Sequence, residues 1–226
     1  MKNKGSRWYQ KKQVARKYDE KRFNRGGLVL DFKEKEMVLS LVEPKGKKVL
    51  DIATGTGRFA EMLTKRGGDV VGLDASREML SKGEADYLVG DALRLPFEDD
   101  SFDVTISMRF MHLLKPHQID DFIKEVMRVT THKFVFESLH PMSLRMLYQW
   151  ALPQKSRMFS NSLMVDRFND INGIKDVRYH EKFLIPYGIY QCLPLDLAEK
   201  IIEFDESVVK KKTWTASTIY WELFFD

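Results

Sequence analysis

From residue 47 onward β-prone and helix-prone segments alternate at short intervals, and this pattern restricts the fold more than any other feature of the chain. KKVLDIA reads as a strand, RFAEMLTKR as a helix, DVVGLD as a second strand and SREMLSKGE as a helix again. ADYLVGDA and SFDVTISM are a third and a fourth strand. After Pro116, HQIDDFIKEVMRV places Ile119, Phe122, Ile123, Val126 and Met127 on one helical face, and KFVFES is a fifth strand. Strands alternating with helices of this length predict a parallel sheet covered on both faces, an α/β architecture. In the last fifty residues the β-prone runs RYHEKFLI and STIYWELFF flank a helix, LDLAEKIIEF, and are expected to complete that sheet.

The flanking segments are less regular. Residues 7–23 mix Trp8, Val14, Tyr18 and Phe23 with many charges and read as an amphipathic helix. Asp31 is expected to cap a second helix, with Glu34 three residues later completing a capping box. Met37, Val38, Leu41 and Val42 recur along that helix, and Pro44 and Gly46 follow its end. Residues 139–176 break the alternation and are rich in methionine (Met142, Met146, Met158, Met164), with Trp150 and Phe159. The expected organisation is one domain in four parts. They are an N-terminal helical lid (1–45), a cofactor-binding core (46–138), a substrate-side insertion (139–176) and C-terminal strands (177–226).

Composition narrows the setting. The chain of 226 residues suits a single core. No apolar run approaches the ~20 residues of a membrane-spanning helix. The basic start MKNKGSRWYQKK lacks the apolar stretch of a secretory signal. Cys192 is the single cysteine, so neither an internal disulfide nor a cysteine metal cage can form, and no metal site is expected. A cytoplasmic location is the expectation. Residues 1–25 hold ten Lys and Arg against Asp19 and Glu20, a net of +8. The other 201 residues hold 27 against 31, a net of −4. Such an arm is either a solvated helix face or a contact for RNA or an anionic surface, while the mildly acidic body argues against an extended phosphate-binding surface.

The stretch VLDIATGTGRFAEML (49–63) runs from a strand through a glycine-bearing turn into a helix. Gly55 and Gly57 let a ligand lie against the main chain, and the helix start presents unpaired N–H groups to it. Seventeen residues beyond Gly57 the second strand ends in Asp74, whose carboxylate can accept both hydroxyls of a ribose. Gly55-Thr-Gly57-Arg-Phe-Ala60 also satisfies the G-x-G-x-x-A form of a dinucleotide fingerprint. Two carboxylates point elsewhere. Asp51, at the end of the first strand, would repel a pyrophosphate but pair with an ammonium group. Asp91, in Gly90-Asp91-Ala92 just past the third strand, is placed to accept from an exocyclic adenine amine.

With these residues the chain resembles the class I S-adenosylmethionine (SAM)-dependent methyltransferases, in particular the branch called methyltransferase type 11, or UbiE-like. VLDIATGTGRFAEML resembles motif I, VVGLDASREML the ribose strand, and GDALRLPFEDDSFDVTISM motifs II and III. IKEVMRV resembles the helix before the fifth strand, so the match covers residues 46–137. The resemblance implies a Rossmann-like seven-stranded sheet of order 3-2-1-4-5-7-6, with strand 7 antiparallel. It also implies that SAM is the cofactor and S-adenosylhomocysteine the product. Asp51 would lie near the methionine amino group, and Ala53, Thr54, Gly55, Thr56 and Gly57 would line the methionine and ribose. Asp74 with Ala75 would hold the ribose, Met79 would pack on adenine, Asp91 and Ala92 would read its edge, and Met108 would close the site. Tyr18, followed by Asp19, would fold over the cofactor from the N-terminal helix. Two departures stand out: Ala53 replaces the first glycine of motif I, and RVTTHKFVF lacks the Gly-Gly turn usual before strand five.

Methyl transfer needs alignment of two reactants and exclusion of water rather than a fixed triad, and the sequence contains no evident one. The acceptor-side candidates are Arg109 and His112 after the fourth strand, Glu137 and His140 after the fifth, Trp150 in the insertion and His180 in a C-terminal strand. For each, packing or capping is the alternative role. The methionines and aromatics of 139–176 suit an adaptable apolar pocket, with a core-packing helical pair as the alternative. The function expected is methylation of a small molecule of apolar or aromatic character. An RNA (tRNA) methyltransferase, using the basic arm, is the alternative among enzymes, and a non-catalytic SAM-binding partner protein is the alternative outside them.

Overall fold

The computed structural model describes residues 18–20, 22–80, 85–141, 157–209 and 216–226. Trp8, Val14, Met142, Met146 and Trp150, and what the sequence leads one to expect of them, lie outside these residues. Seven strands form one sheet: β1 Lys48–Ile52, β2 Asp69–Asp74, β3 Asp86–Val89, β4 Phe102–Ser107, β5 Thr130–Leu139, β6 Ile174–Lys182 and β7 Thr218–Phe225. Their order is β3-β2-β1-β4-β5-β7-β6. β1 to β5 run parallel, and β7 is antiparallel to both of its neighbours, β5 and β6. The helices are α1 Gly26–Val42, α2 Arg58–Lys65, α3 Arg77–Leu80, α4 Pro116–Val129, α5 Asn161–Asn169, α6 Tyr187–Tyr190 and α7 Leu195–Val209. None of the described helices is long and apolar enough to cross a membrane.

The sheet divides the apolar side chains into two layers. On one face, Leu50, Ile52, Phe134, Phe136 and Trp221 pack beneath Ile119, Phe122, Ile123 and Val126 of α4. Phe159, Met164 and Phe168 join that layer, and Phe168 meets Phe136 and Trp221 edge-on at 5.7 and 6.0 Å. Part of the Met-rich segment is therefore core rather than an adaptable pocket, because the faces of Phe136 and Trp221 would otherwise be open to water. On the opposite face Val49, Val104, Ile106 and Val135 pack beneath α1, α2 and α7 through Leu30, Val38, Phe59, Leu63 and Ile202.

Two local expectations change. The second helix begins at Gly26, so Asp31 and Glu34 lie inside it, both buried, and form ion pairs instead of a capping box. β6 begins at Ile174, within the segment expected to be insertion. The missing Gly-Gly turn also has a structural counterpart: α4 runs directly into β5, with Thr130 already extended (φ −122°).

Candidate cofactor and acceptor site

The C-terminal edge of the parallel strands carries the expected turn. β1 ends at Ile52, and the next residues alternate into the left-handed region: Ala53 at φ 58°, Gly55 at 63° and Gly57 at 83°. Ala53 thus adopts an angle that favours glycine, which explains why glycine is usual at this position and marks a strained point here. The Ser107 hydroxyl donates to the Ile52 carbonyl (3.0 Å), tying the tip of β4 to the start of the turn. A side chain at Gly55 would meet only the Met79 methyl at 3.5 Å, so this part of the main chain is open to a ligand. Gly57 is required for another reason. A Cβ there would overlap the Tyr87 hydroxyl, and one at Gly72 would lie 2.6 Å from the same ring. Tyr87, on β3, reaches across β2 to the glycine turn, a packing demand that no local motif announces.

Two carboxylates hold the turn. Thr54 Oγ1 donates to Asp51 Oδ2 at 2.6 Å, and Gly55 N–H donates to Asp74 Oδ2 at 2.9 Å. Asp74 Oδ1 also accepts from Ser76 N–H at 2.8 Å. Burial pushes the Asp51 carboxyl up to about 7, against an ordinary 3.8, and outweighs the Thr54 hydrogen bond and the Arg58 charge. Burial likewise raises Asp74, opposed by the backbone N–H groups that it accepts. Met79 and Met108 are buried beside the turn, Ala75 is exposed, and Ala92 is buried next to the exposed Asp91, whose Oδ1 accepts from Leu93 N–H (3.0 Å). Thr56 Oγ1 donates to Asp19 Oδ1 at 2.9 Å, linking the N-terminal segment to the turn. Tyr18 stands one residue earlier and accepts from Arg22 Nη1 (2.9 Å).

Beside this turn lies a buried charge cluster that the sequence reading located only in part. Glu34 of α1 is 2% exposed and receives Arg58 Nη2 at 2.7 Å and Arg109 Nη2. Arg58 Nη1 pairs with Asp31, which also pairs with Lys35 at 2.7 Å. Burial opposes the charge on Glu34, but Arg109 and Arg58 outweigh it and hold the carboxyl below its ordinary value. The Arg109 guanidinium lies 4.5 Å from the Tyr187 ring centroid, and Arg22 lies over the same ring at 4.6 Å. Removing one partner of such a buried pair typically costs about 3–5 kcal/mol, since a charge is left uncompensated.

Glu137, at the end of β5, joins this cluster without an ion pair of its own among the described residues. It is 4% exposed, and its Oε2 is buried with no hydrogen-bond partner among the described residues. Burial raises its pKa; Arg109 opposes the shift and Glu34 adds to it. With Leu30, Glu34, Arg109, Leu139, Phe183, Ile185 and Tyr187 it lines a cavity of about 20 Å³. That is room for about one water.

The other expected acceptor-side residues are distributed more widely. His112 is half-buried in a short 3₁₀ turn, Met111–Leu113, and its carbonyl accepts from Arg157 N–H (3.3 Å). His140 is buried one residue past β5, and burial lowers its pKa. His180 Nε2 lies 3.1 Å from Glu222 Oε1, in a cluster with Lys133 nearer the N-terminal end of β5 than Glu137 is. Glu34, Arg58, Tyr187 and Tyr220 enter the site from α1, α2, α6 and β7; none carries a sequence signal for this role, because only the fold brings them together.

Comparison with known proteins bears on the fold and on the stretch that holds the glycine turn. Residues 49–133 match the family model described as "Methyltransferase domain". A demethylmenaquinone methyltransferase of Paenarthrobacter aurescens is 42% identical over 91 residues, 38% of this chain and 35% of that protein. One from Thermotoga maritima is 34% identical over 128 residues, 51% of this chain and 55% of that protein. The chain thus spans about a third to a half of the length of these relatives. Among solved structures, a SAM-dependent methyltransferase of Thermotoga maritima, described as a possible histamine N-methyltransferase, superposes with a TM-score of 0.67 at 16% identity. That match covers 97% of this chain and 100% of the other. Magnesium protoporphyrin IX methyltransferase from Synechocystis, with bound S-adenosylhomocysteine, gives a TM-score of 0.61 at 12% identity over 89% and 84% of the two chains. These likenesses show the fold: the sheet has the strand order of the class I methyltransferases.

Proposed function

We propose that this chain is a SAM-dependent methyltransferase acting on a small-molecule acceptor. The observation that carries the reading is the set of carboxylates at the ends of three adjacent strands, Asp51 next to last in β1, Asp74 last in β2 and Asp91 two residues past β3, around the open main chain at Gly55. SAM presents an ammonium, a ribose diol and an adenine amine, and each is a donor suited to one of these acceptors. A dinucleotide would instead bring its pyrophosphate against Asp51. When bound, the cofactor supplies a methyl group already activated on a sulfonium. What remains for the protein is to orient the acceptor, exclude water and hold any proton released. Met79 and Ala92 would flank the adenine, and the contact between Asp19 and Thr56 would close the N-terminal segment over the turn.

The acceptor would approach from the side of Arg109, Glu137 and Tyr187, beside the apolar side chains Leu30, Leu139, Phe183 and Ile185, and the acceptor class proposed is a small apolar or aromatic molecule. The basic arm keeps RNA as the alternative acceptor. Steeply salt-dependent tRNA binding, lost on deleting residues 1–25, would decide for it. A non-catalytic role would leave SAM bound without methyl turnover on any acceptor.

The test is calorimetry with SAM, S-adenosylhomocysteine and NAD. SAM or its product should bind at low micromolar or tighter, and Asp74→Ala should weaken this at least tenfold, about 1.4 kcal/mol. Preference for NAD would overturn the reading.

A further inference from the structure

Among the described residues, three polar atoms on one side of the site are buried without a hydrogen-bond partner: Glu137 Oε2, Arg109 Nε and Tyr220 Oη. Such groups typically cost about 1–3 kcal/mol each when left unmatched, so their clustering calls for an explanation. Glu137 and Tyr220 face each other in the β5–β7 register, and Glu137 and Arg109 line the same cavity. Asp51 pairs with Ile106, and Ser107 pairs with Phe136, so Ala53, Met108 and Glu137 stand level on three neighbouring strands. At about 4.8 Å per strand, Glu137 is ~10 Å from the glycine turn along the same edge. An acceptor between Glu137 and a cofactor on that turn would lie against both.

The chemistry of the pair selects the acceptor. A cation would be repelled by Arg109, Arg58 and Arg22, and an anion by Glu34 and an ionised Glu137. A neutral O–H fits, because it can donate to Glu137 Oε2 and accept from Arg109 Nε–H, satisfying both atoms with one oxygen. The cavity beside them has room for about one oxygen, so the hydroxyl would occupy it and the frame of the acceptor would lie outside it, towards the glycine turn. We propose that Glu137 and Arg109 form the acceptor site for a neutral phenolic or enolic hydroxyl, Glu137 Oε2 taking its proton and Arg109 Nε–H holding the oxygen as it becomes anionic.

This inference rests on the methyl-transfer reading, and the step balances. The acceptor O–H bond breaks, its proton forms a bond to Glu137 Oε2, and its electron pair forms the O–CH₃ bond. The S–CH₃ bond breaks with its electrons left on sulfur, so a sulfonium becomes a thioether as a carboxylate becomes a carboxylic acid. An aliphatic alcohol is too weak an acid for a carboxylate to deprotonate, whereas a phenol with a pKa near 10 in water is within reach when the base is raised and a guanidinium stabilises the product. Around Glu137 stand Arg109 after β4, Glu34 on α1, Arg58 on α2, Arg22 in the N-terminal segment, Tyr187 on α6 and Tyr220 on β7. Burial raises both tyrosines, Tyr187 to about 12, so each stays protonated while Glu137 titrates.

The probe is 4-nitrophenolate, titrated calorimetrically into the whole chain in two buffers of different ionisation heat. The range is about pH 8 to 9, below the pKa of free tyrosine. Binding the phenolate beside an ionised Glu137 should take up a proton from solution, approaching one per site as pH rises. Affinity should then fall towards tenfold per pH unit. Glu137→Gln should bind the probe without proton uptake and with nearly flat pH dependence, and Glu137→Asp should restore the uptake. A residue that only supports the fold would change affinity or melting temperature and leave the linkage in place. Failure of the wild-type chain to bind the probe, or uptake unchanged in Glu137→Gln, would overturn the inference. If Glu137→Gln does not fold, absence of uptake in the wild-type chain overturns it equally. SAM is titrated alongside: no SAM binding would sink the proposed function, whereas SAM binding without probe linkage would sink only the acceptor assignment.

Discussion

Replacing Asp51 with asparagine should change how stability depends on pH, and the size of the change follows from where the carboxyl sits. It is 1% exposed, and its pKa is pushed by burial to about 7 from an ordinary 3.8. The folded chain therefore keeps this proton up to about pH 7, whereas the unfolded chain releases it near pH 4. Stability contributed by the group is fully present in acid, declines as pH rises through that window, and is constant above it. At ~1.4 kcal/mol per unit, the full shift of about three units is worth roughly 4 kcal/mol. Asparagine has no such titration, and its amide oxygen can still accept the Thr54 hydroxyl. Urea unfolding of the wild-type chain and Asp51→Asn should thus diverge by roughly 2–3 kcal/mol between about pH 5 and pH 8, in favour of the variant at the higher pH. SAM should remove the divergence, since its ammonium favours the ionised carboxylate, and SAM affinity for the wild-type chain should fall as pH drops below about 7. Parallel stability curves would refute the reasoning: Asp51 would then be ionised at neutral pH in the folded chain.

Two further outcomes follow from single contacts. Asp19→Ala removes the acceptor of the Thr56 hydroxyl and should weaken SAM about three- to tenfold by calorimetry, the equivalent of one ordinary hydrogen bond, with little change in melting temperature. Phe168→Ala empties a fully buried site against Phe136 and Trp221 and should cost ~3–5 kcal/mol in urea unfolding, while turnover per folded molecule is preserved.

The sheet was legible because each parallel strand carries its own period and is bounded by local punctuation. DVVGLD is strand β2 to the residue, and STIYWELFF begins only one residue before β7. Strand order is a different kind of information: it came with the family resemblance, not with periodicity. The errors fall where a local signal competes with tertiary charge pairing. Asp31 and Glu34 have the spacing of a capping box, but that spacing also puts both on one helix face. Burial against Arg58 and Arg109 decides between the two uses, and those arginines are 24 or more residues away in sequence. For the irregular segment composition left two readings open, an adaptable pocket and a core-packing helical pair, and Met164 takes the second, in the layer with Phe136.

The two halves of the site differ in legibility for a chemical reason. A cofactor with fixed donor groups calls for fixed acceptors near a single turn, so Asp51, Gly55 and Asp74 fall within 24 residues and can be read together. An acceptor pocket has no such template: here it is assembled from α1, the tips of β4 and β5, and the segment leading into α6. Its informative feature is not a residue type but a mismatch, a carboxylate oxygen and a guanidinium N–H buried without partners among the described residues, beside Glu34, both of whose oxygens are paired. Glu34 occupies both Arg58 and Arg109 through their Nη atoms, which leaves Arg109 Nε and Glu137 Oε2 over. The ion pair anchors Arg109 so that its remaining donor is held in place rather than turned towards Glu137. A substitution that frees Arg109 from Glu34, such as Glu34→Gln, would therefore let it collapse onto Glu137, lower the pKa of that carboxyl and weaken it as a base without touching it directly.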